Sequence, residues 1–211
     1  MPAVMRLLFK RSFQKNLTAV LGYGKEIAKD TETKARKTYK AIIASLPVFE
    51  RGDIFLINIV NCAMFSAFCL NLPDRQPLDK MTDYYRNSMM TGPMRWFCRQ
   101  SGRKRFCKKD IDKMKRTAAL KAADRNKYSW NMEYLPYADG SGYEARFDKC
   151  GICTLMTELG LKEYIPAMCR LDYTMSEPAA PMCLSENTRS RRAVLTATAA
   201  TKRRKYDYGT V

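Results

Sequence analysis

The segment from Cys150 to Tyr173 concentrates the side chains of this chain that could do chemistry. Its sequence, CGICTLMTELGLKEYIPAMCRLDY, holds three of the eight cysteines and places Asp172 three residues after Cys169. The chain contains no histidine, and histidine is the usual general base and a common metal ligand. Chemistry at this segment would therefore depend on thiol, carboxylate, phenol or amine groups, or on a bound ion.

The sequence leaves three interpretations of these cysteines open. Cys150 and Cys153, followed by Cys169 and Asp172, imitate the spacing of a zinc site with an acid as the fourth ligand, and a zinc-bound water could act as the nucleophile of a hydrolysis. The second interpretation is a catalytic thiol. The third is structural, because cysteine is among the most often buried residues and packs as a small hydrophobic side chain. We expect no cofactor, with zinc as the less favoured alternative.

A catalytic thiol in a chain without histidine needs another activator. Cys150 directly precedes a predicted helix, so the helix dipole would favour its thiolate. Asp172 or Asp207 would orient a water molecule or bind a substrate ammonium group. The ordinary role of either aspartate is to cap a helix or a turn.

The charge of the chain restricts its partners without choosing among them. Of 211 residues, 38 are Lys or Arg and 21 are Asp or Glu, which gives a net charge of +17. Such a field attracts nucleic acid, acidic lipid and small carboxylates alike. Thirteen of the cations lie in residues 95–127, interleaved with Trp96, Phe97 and Phe106, a pattern that suits single-stranded nucleic acid or a solvated helix face. Because no RNP, KH, zinc-finger or helix-turn-helix motif is present, we favour a small anionic substrate over nucleic acid.

Other classes of protein are disfavoured by missing motifs. There is no phosphate-binding loop, dinucleotide fingerprint or nucleophile-elbow motif. Eight cysteines are few for a disulfide scaffold of this length, and the N-terminal residues lack the pattern of a signal peptide. We therefore expect a reducing, cytoplasmic location.

The apolar periodicity predicts a helical first half. Helices are expected over residues 4–21, 27–46, 54–72, 78–90 and 110–124. The segment 54–72 is nearly apolar, but Asn58, Asn61 and Asn71 favour a buried central helix over a membrane span. We expect no membrane partner. The same apolar helix could form an interface between copies of the chain, so a homo-oligomer stays open.

Short aromatic segments alternate with turns in the second half. Lys127–Leu135 and Tyr143–Asp148 flank Asp139-Gly140-Ser141-Gly142, which is the pattern of a β-hairpin. A helix is expected over Gly151–Leu159, with Gly160 as its C-terminal stop. Arg191–Thr198 and Tyr206-Asp207-Tyr208 predict a second hairpin.

These elements predict an α+β fold, in which an N-terminal helical layer packs on a small antiparallel sheet of two C-terminal hairpins. The length suits a single domain over 1–211. Residues 1–125 would be its mainly helical part, and residues 126–211 would hold the hairpins that flank the cysteine-rich helical segment.

The last third of the chain resembles the L-2-amino-thiazoline-4-carboxylic acid hydrolase family. The resemblance rests on Cys150 before a short helix ending in Gly160-Leu161, and on the motif Pro-x-x-Cys-x-x-Asp over 166–172. Arg191 and Leu195 match a following strand. The chain departs from the family where a closing cysteine is replaced by Tyr206, and where the last turn lacks glycine.

The resemblance implies a hydrolase that acts on a non-peptide C–N bond of a small cyclic carboxylate, giving N-carbamoyl cysteine from 2-amino-thiazoline-4-carboxylate. From the chemistry that this reaction requires, we expect Asp172 as the base or amidinium anchor, and Cys150 or Cys169 as nucleophile or proton donor. Arg191 would bind the substrate carboxylate and Asp207 would bind another part of the substrate. The alternatives are a non-catalytic ligand-binding or sensor module on the same scaffold and a basic nucleic-acid-binding protein.

Overall fold

The computed structural model describes residues 2–102, 108–138, 143–171 and 174–175. Over these residues the chain combines many helices with one two-stranded antiparallel sheet, which confirms the α+β class. The chain divides into two compact units. The prediction of a single domain over 1–211 stays a prediction.

The first unit comprises Met1–Met94, Asn126–Ser129 and Cys150–Leu171. Its helices and helical turns are α1 Pro2–Ala19, α2 Lys25–Ser45, α3 Leu56–Cys69, α4 Leu78–Met89, α7 Gly151–Glu158 and a 3-10 turn at Lys162–Tyr164, after which residues 165–171 are helical. The first four helices lie within a few residues of the segments that apolar periodicity predicted.

Helix α3 lies at the centre of the first unit. All its residues from Ile59 to Cys69 are buried, and it contacts α1, α2 and α7. A helix that is apolar on every side is stable in water only when other elements cover it on every side. The prediction of a buried central helix is therefore confirmed. Among the helices of the described residues, none combines the length and apolar character that crossing a bilayer requires.

An aromatic cluster joins α1, α3 and α4. The Phe13 ring stacks on Phe68 at a centroid distance of 5.0 Å and meets the edge of Tyr84 at 5.6 Å. Phe65 lies 4.6 Å from Tyr85. The buried Tyr84 hydroxyl donates to the Phe13 carbonyl oxygen at 3.2 Å, so this phenol is packed without an unpaired oxygen.

The second unit contains the described residues of Arg95–Arg125 and Trp130–Lys149. It holds α5, assigned as Gly92–Gly102, from Arg95 onward. It also holds α6 Lys108–Ala122, β1 Asn131–Pro136 and β2 Tyr143–Lys149. The strands pair antiparallel, with a register irregularity between Asn131 and Glu133, and α6 packs on β1. The first predicted hairpin is confirmed.

Helix α5 is not among the predicted helices, because the pair Gly92-Pro93 is typical of a break in the chain. The pair does follow the end of α4, but it also forms the first turn of α5. Proline is compatible with a first helical turn, where its missing N–H would have no partner within the helix. Trp96 and Phe97 on this helix are 63% and 60% exposed. The interpretation of this region as a nucleic-acid surface stays a prediction.

The second predicted hairpin, Arg191–Thr198 with Tyr206-Asp207-Tyr208, lies outside the described residues.

Candidate active site

Cys150 lies at the junction between β2 and α7. It is the N-cap residue of α7, with extended backbone angles of φ −130° and ψ 114°. Its carbonyl oxygen accepts the Thr154 N–H at 3.1 Å and the Thr154 hydroxyl at 3.3 Å. The predicted position of Cys150 directly before a helix is confirmed, and these two bonds tie its backbone to the first turn.

Gly151 allows the start of α7 to approach a neighbouring backbone segment closely. A β-carbon built on Gly151 would lie 1.9 Å from the Tyr128 carbonyl oxygen and 3.0 Å from Ile59 Cδ1 of α3. Only glycine fits there without moving the backbone. The lack of a side chain at Gly151 therefore allows the start of α7, with Cys150 and Cys153, to pack closely against α3.

The end of α7 turns the chain back toward the same group of helices. Gly160 has a positive φ of 67°, the Gly160 N–H donates to Thr157 O at 3.0 Å, and the Leu161 N–H donates to Met156 O at 2.8 Å. This pair of bonds is a Schellman motif, which favours glycine at the left-handed position. Gly160 is thus the helix stop that the sequence predicted, and the chain continues to the helical residues 165–171 that carry Cys169.

Four thiols come together in the first unit. Cys62 on α3 is fully buried, whereas Cys150, Cys153 and Cys169 are partly exposed. Cys150 hydrogen-bonds Cys153. The negative charges that ionised Cys153 and Cys169 would carry raise the pKa of Cys150. The same two thiols also raise the pKa of Cys62. The structure therefore brings together the three cysteines that the sequence singled out and adds a fourth.

The thiols of Cys150 and Cys62 are held in the protonated form. The hydrogen bond with Cys153, followed by burial, raises the pKa of Cys150 well above its ordinary range. Burial raises the pKa of Cys62 to about 12, although a hydrogen bond with Ser66 opposes part of that rise. The expectation that the helix dipole would favour a Cys150 thiolate is wrong, because the thiol pair and desolvation outweigh one short helix.

Cys62 was missed by the sequence interpretation. It lies 88 positions before Cys150, inside an apolar helix where a cysteine is indistinguishable from packing. Its neighbour Asn61 could have indicated a site on this helix, because burying a polar side chain in an apolar helix costs free energy unless a partner meets it. The Asn61 Oδ1 atom is buried without a hydrogen-bond partner, and such an atom is costly unless a ligand or water meets it.

Tyr128 holds both ends of α7. Its backbone carbonyl contacts Gly151 as described, and its hydroxyl donates to Glu158 Oε2 at 2.6 Å. Lys127 Nζ lies 3.1 and 3.2 Å from the two oxygens of the same carboxylate. The Tyr128 hydrogen bond, followed by the Lys127 hydrogen bond, lowers the pKa of Glu158. The short segment Asn126–Ser129 therefore fixes the helix that carries the two proximal thiols.

The remaining predicted site residues lie outside the described part of the chain. These are Asp172, Arg191 and Asp207, so their roles stay predictions. Within the described residues no three His, Cys, Asp or Glu side chains are arranged to hold a metal ion. Cys150, Cys153 and Cys169 do not form such a group, and the fourth ligand of the zinc alternative, Asp172, is outside the described part.

A known protein family matches this chain. The model of the L-2-amino-thiazoline-4-carboxylic acid hydrolase family matches residues 58–190, which is more than half of the chain. The matched region includes α3 from Asn58 onward with Cys62, Cys150 with α7, and the Pro-x-x-Cys-x-x-Asp motif. No curated protein and no solved structure matches the chain.

Proposed function

Because the chain belongs to the L-2-amino-thiazoline-4-carboxylic acid hydrolase family, we propose that it hydrolyses the ring of a small cyclic amidine carboxylate of the 2-amino-thiazoline-4-carboxylate type. The family match carries this proposal. It includes all four clustered thiols and Asp172, and it ends at residue 190, before Arg191 and Asp207.

The reaction consumes one water molecule and opens the ring. The water oxygen bonds to C2, whose double bond to nitrogen becomes single. The C2–S bond then breaks, the amide carbonyl of N-carbamoyl cysteine forms, and the departing sulfur takes up a proton. The protein must supply a base for the water, a proton donor near the sulfur and a cation for the carboxylate.

The raised pKa of Cys150 favours direct attack by water over a covalent isothiourea on the cysteine sulfur. A thiol attacks only after it has lost its proton, and the pKa of Cys150 is raised by Cys153 and by burial. We therefore assign Asp172 as the base for water or as the amidinium anchor. Cys150 and Cys169 would donate hydrogen bonds or protons toward the leaving sulfur.

The charge of the chain supports an anionic substrate. A net charge of +17 raises the local concentration of small carboxylates. We assign Arg191 as the carboxylate anchor, since a guanidinium binds a carboxylate through two parallel hydrogen bonds. Asp207 would contact the amino end of the substrate.

Turnover of L-2-amino-thiazoline-4-carboxylate tests the proposal. The purified full chain should form N-carbamoyl cysteine, detected by mass spectrometry, and Asp172→Asn and Cys169→Ala should lose most of this activity. Cys98→Ala is the matched control, because Cys98 is a buried cysteine of the second unit, and it should keep the activity.

The negative outcomes of this experiment favour different alternative functions. Folded protein without product, but with calorimetric binding of the same compound, would replace the hydrolase proposal with the ligand-binding alternative. Neither product nor binding would leave a different substrate or the nucleic-acid alternative. The latter predicts RNA or DNA affinity that falls steeply with salt.

A further inference from the structure

We propose that Cys150 and Cys153 form a reversible dithiol–disulfide pair, which small disulfides such as oxidised glutathione oxidise and small thiols such as reduced glutathione reduce. The proposal concerns a modification of the two cysteines at the start of α7 and does not require the hydrolase reaction. Its consequence for turnover rests on the proposed function, and the experiment below separates the two.

The position of the pair on α7 suits a disulfide. Cys150-Gly151-Ile152-Cys153 spans the N-cap and the first turn, where α-carbons three residues apart lie about 5 Å from one another. This separation falls in the range that a disulfide bridges, about 4.4–6.8 Å. Cys150 has extended rather than helical backbone angles, so the distance between its side chain and that of Cys153 is not fixed by helix geometry. The two thiols already hydrogen-bond each other.

The backbone under the pair is fixed. The Cys150 carbonyl holds two hydrogen bonds from Thr154, and Gly151 is wedged against the Tyr128 carbonyl. A pair placed on an ordered helix start forms its bond without first ordering a loop, so the entropy cost of closure is small. Two-cysteine motifs with two intervening residues at helix starts are favourable sites for thiol–disulfide exchange.

Accessibility selects this pair among the clustered thiols. Cys150 and Cys153 are both partly exposed, whereas Cys62 and Cys69 are buried. Attack on an external disulfide requires its sulfur to approach the thiolate in line, and the buried pair on α3 cannot meet that requirement. Cys169 is partly exposed but belongs to a different helical segment, 19 residues from Cys150.

The exchange balances in two steps. The Cys153 thiolate attacks one sulfur of oxidised glutathione, the S–S bond breaks, and the first glutathione leaves as a thiolate that takes up the proton Cys153 lost. Cys150 then loses its proton and attacks the Cys153 sulfur, which releases the second glutathione. Two protein thiols are oxidised by two electrons, and one disulfide is reduced to two thiols. The same balance holds if Cys150 attacks first and Cys153 closes the bond.

The tryptic peptides of this chain identify the bond directly. Cleavage after Lys149 and Lys162 puts Cys150 and Cys153 in one peptide, residues 150–162, whereas Cys169 falls in residues 163–170 and the buried Cys62 and Cys69 share residues 52–75. A bond between Cys150 and Cys153 lightens the peptide 150–162 by two hydrogens. A bond from Cys150 to Cys169 instead links two peptides.

The full chain is incubated with oxidised glutathione, blocked with iodoacetamide after unfolding, digested and mapped. We expect the internal disulfide in peptide 150–162, full reversal by dithiothreitol, and fully alkylated cysteines in peptide 52–75. Cys150→Ser should instead accumulate a stable glutathione adduct on Cys153. A cross-link to peptide 163–170, a stable adduct without ring closure in the wild type, or unmodified thiols in peptide 150–162 would each overturn the proposal.

The activity measurement is a separate arm. If the proposed function holds, oxidised wild type loses turnover and dithiothreitol restores it, while Cys153→Ser, which cannot close the internal disulfide, shows no loss beyond that due to a glutathione adduct on Cys150 in its peptide map. If the reduced protein has no turnover, the proposed function fails while the peptide map still decides the disulfide. Because the wild-type map needs no variant, a Cys153→Ser protein that did not fold would leave the test intact.

Discussion

At the scale of single residues, Cys150 and Gly151 at the start of α7 contribute in opposite ways, one through its side chain and the other through the lack of one. Cys150 brings a thiol whose pKa is raised by Cys153 and by burial, so any reaction there starts from the neutral side chain. Gly151 contributes by having no side chain, since the Tyr128 carbonyl occupies the space that a β-carbon would take. The burial that raises the pKa of Cys150 therefore depends on the close packing that Gly151 permits.

Gly151→Ala tests that packing. We expect a loss of about 3 kcal/mol in the free energy of unfolding, because the added methyl group would meet backbone rather than a flexible side chain. Urea denaturation followed by circular dichroism measures the change. Gly92→Ala is the matched control: nothing lies within 4 Å of a β-carbon there, and its effect should stay within about 0.5 kcal/mol. Equal effects of the two substitutions would contradict the packing argument.

At the scale of elements, α7 depends on its surroundings. A helix of 8 residues is too short to persist alone in water. It is held by the Schellman turn at Gly160, by burial of Leu155 and Met156, and by Tyr128, which reaches both its first and its last residue. The segment Asn126–Ser129 is therefore a structural part of the candidate site, although it carries none of the proposed chemistry.

Tyr128→Phe tests the contact with Glu158. The pKa of Glu158 is lowered in the fold by Tyr128 and Lys127, so this contact stabilises the protein above the ordinary carboxyl pKa and is lost as pH falls through the folded value. Wild type should be more stable than Tyr128→Phe at pH 7. The difference should shrink at pH 3, because this pH lies below the ordinary carboxyl pKa and protonation of Glu158 removes the contact. Urea denaturation at the two pH values measures it, and a difference that grows in acid would contradict the assignment.

At the scale of the whole molecule, buried thiols and phenols set a limit on stability in alkali. The pKa of Cys62 is raised by burial to about 12, and burial also raises the pKa of Tyr39 to about 12. Burial raises the pKa values of Cys69 and Tyr84 well above their ordinary ranges. A group with a raised pKa favours the fold fully below its unfolded pKa, and the advantage is lost as pH rises toward the folded value.

The free energy of unfolding should therefore be level up to about pH 9 and fall steadily toward pH 12, because 9 is near the ordinary pKa of a thiol. Urea denaturation at a series of pH values follows this decline. Cys62→Ala should be less stable at pH 7, by about 1 kcal/mol from lost packing, but should decline less steeply above pH 9. A parallel decline in both proteins would show that Cys62 does not titrate as described.

Much of the secondary structure was predictable because it depends on local patterns. The helical period marks α1 to α4, and Gly160 marks the end of α7, since only a residue tolerant of positive φ suits that position. The hairpin at β1 and β2 followed from alternation around a glycine-rich turn. Helix α5 was missed because a glycine and a proline that end one helix can also begin the next.

By itself, the sequence determined the fold class, the family and the concentration of chemistry in the segment that begins at Cys150, because composition, spacing and short-range periodicity are written along the chain. Only the tertiary structure decided that Cys62 joins Cys150, Cys153 and Cys169, and that Cys150 stays protonated. Both outcomes depend on burial and on distances between residues far apart in sequence. Desolvation and thiol–thiol contacts act through space, so they cannot be inferred from a linear pattern.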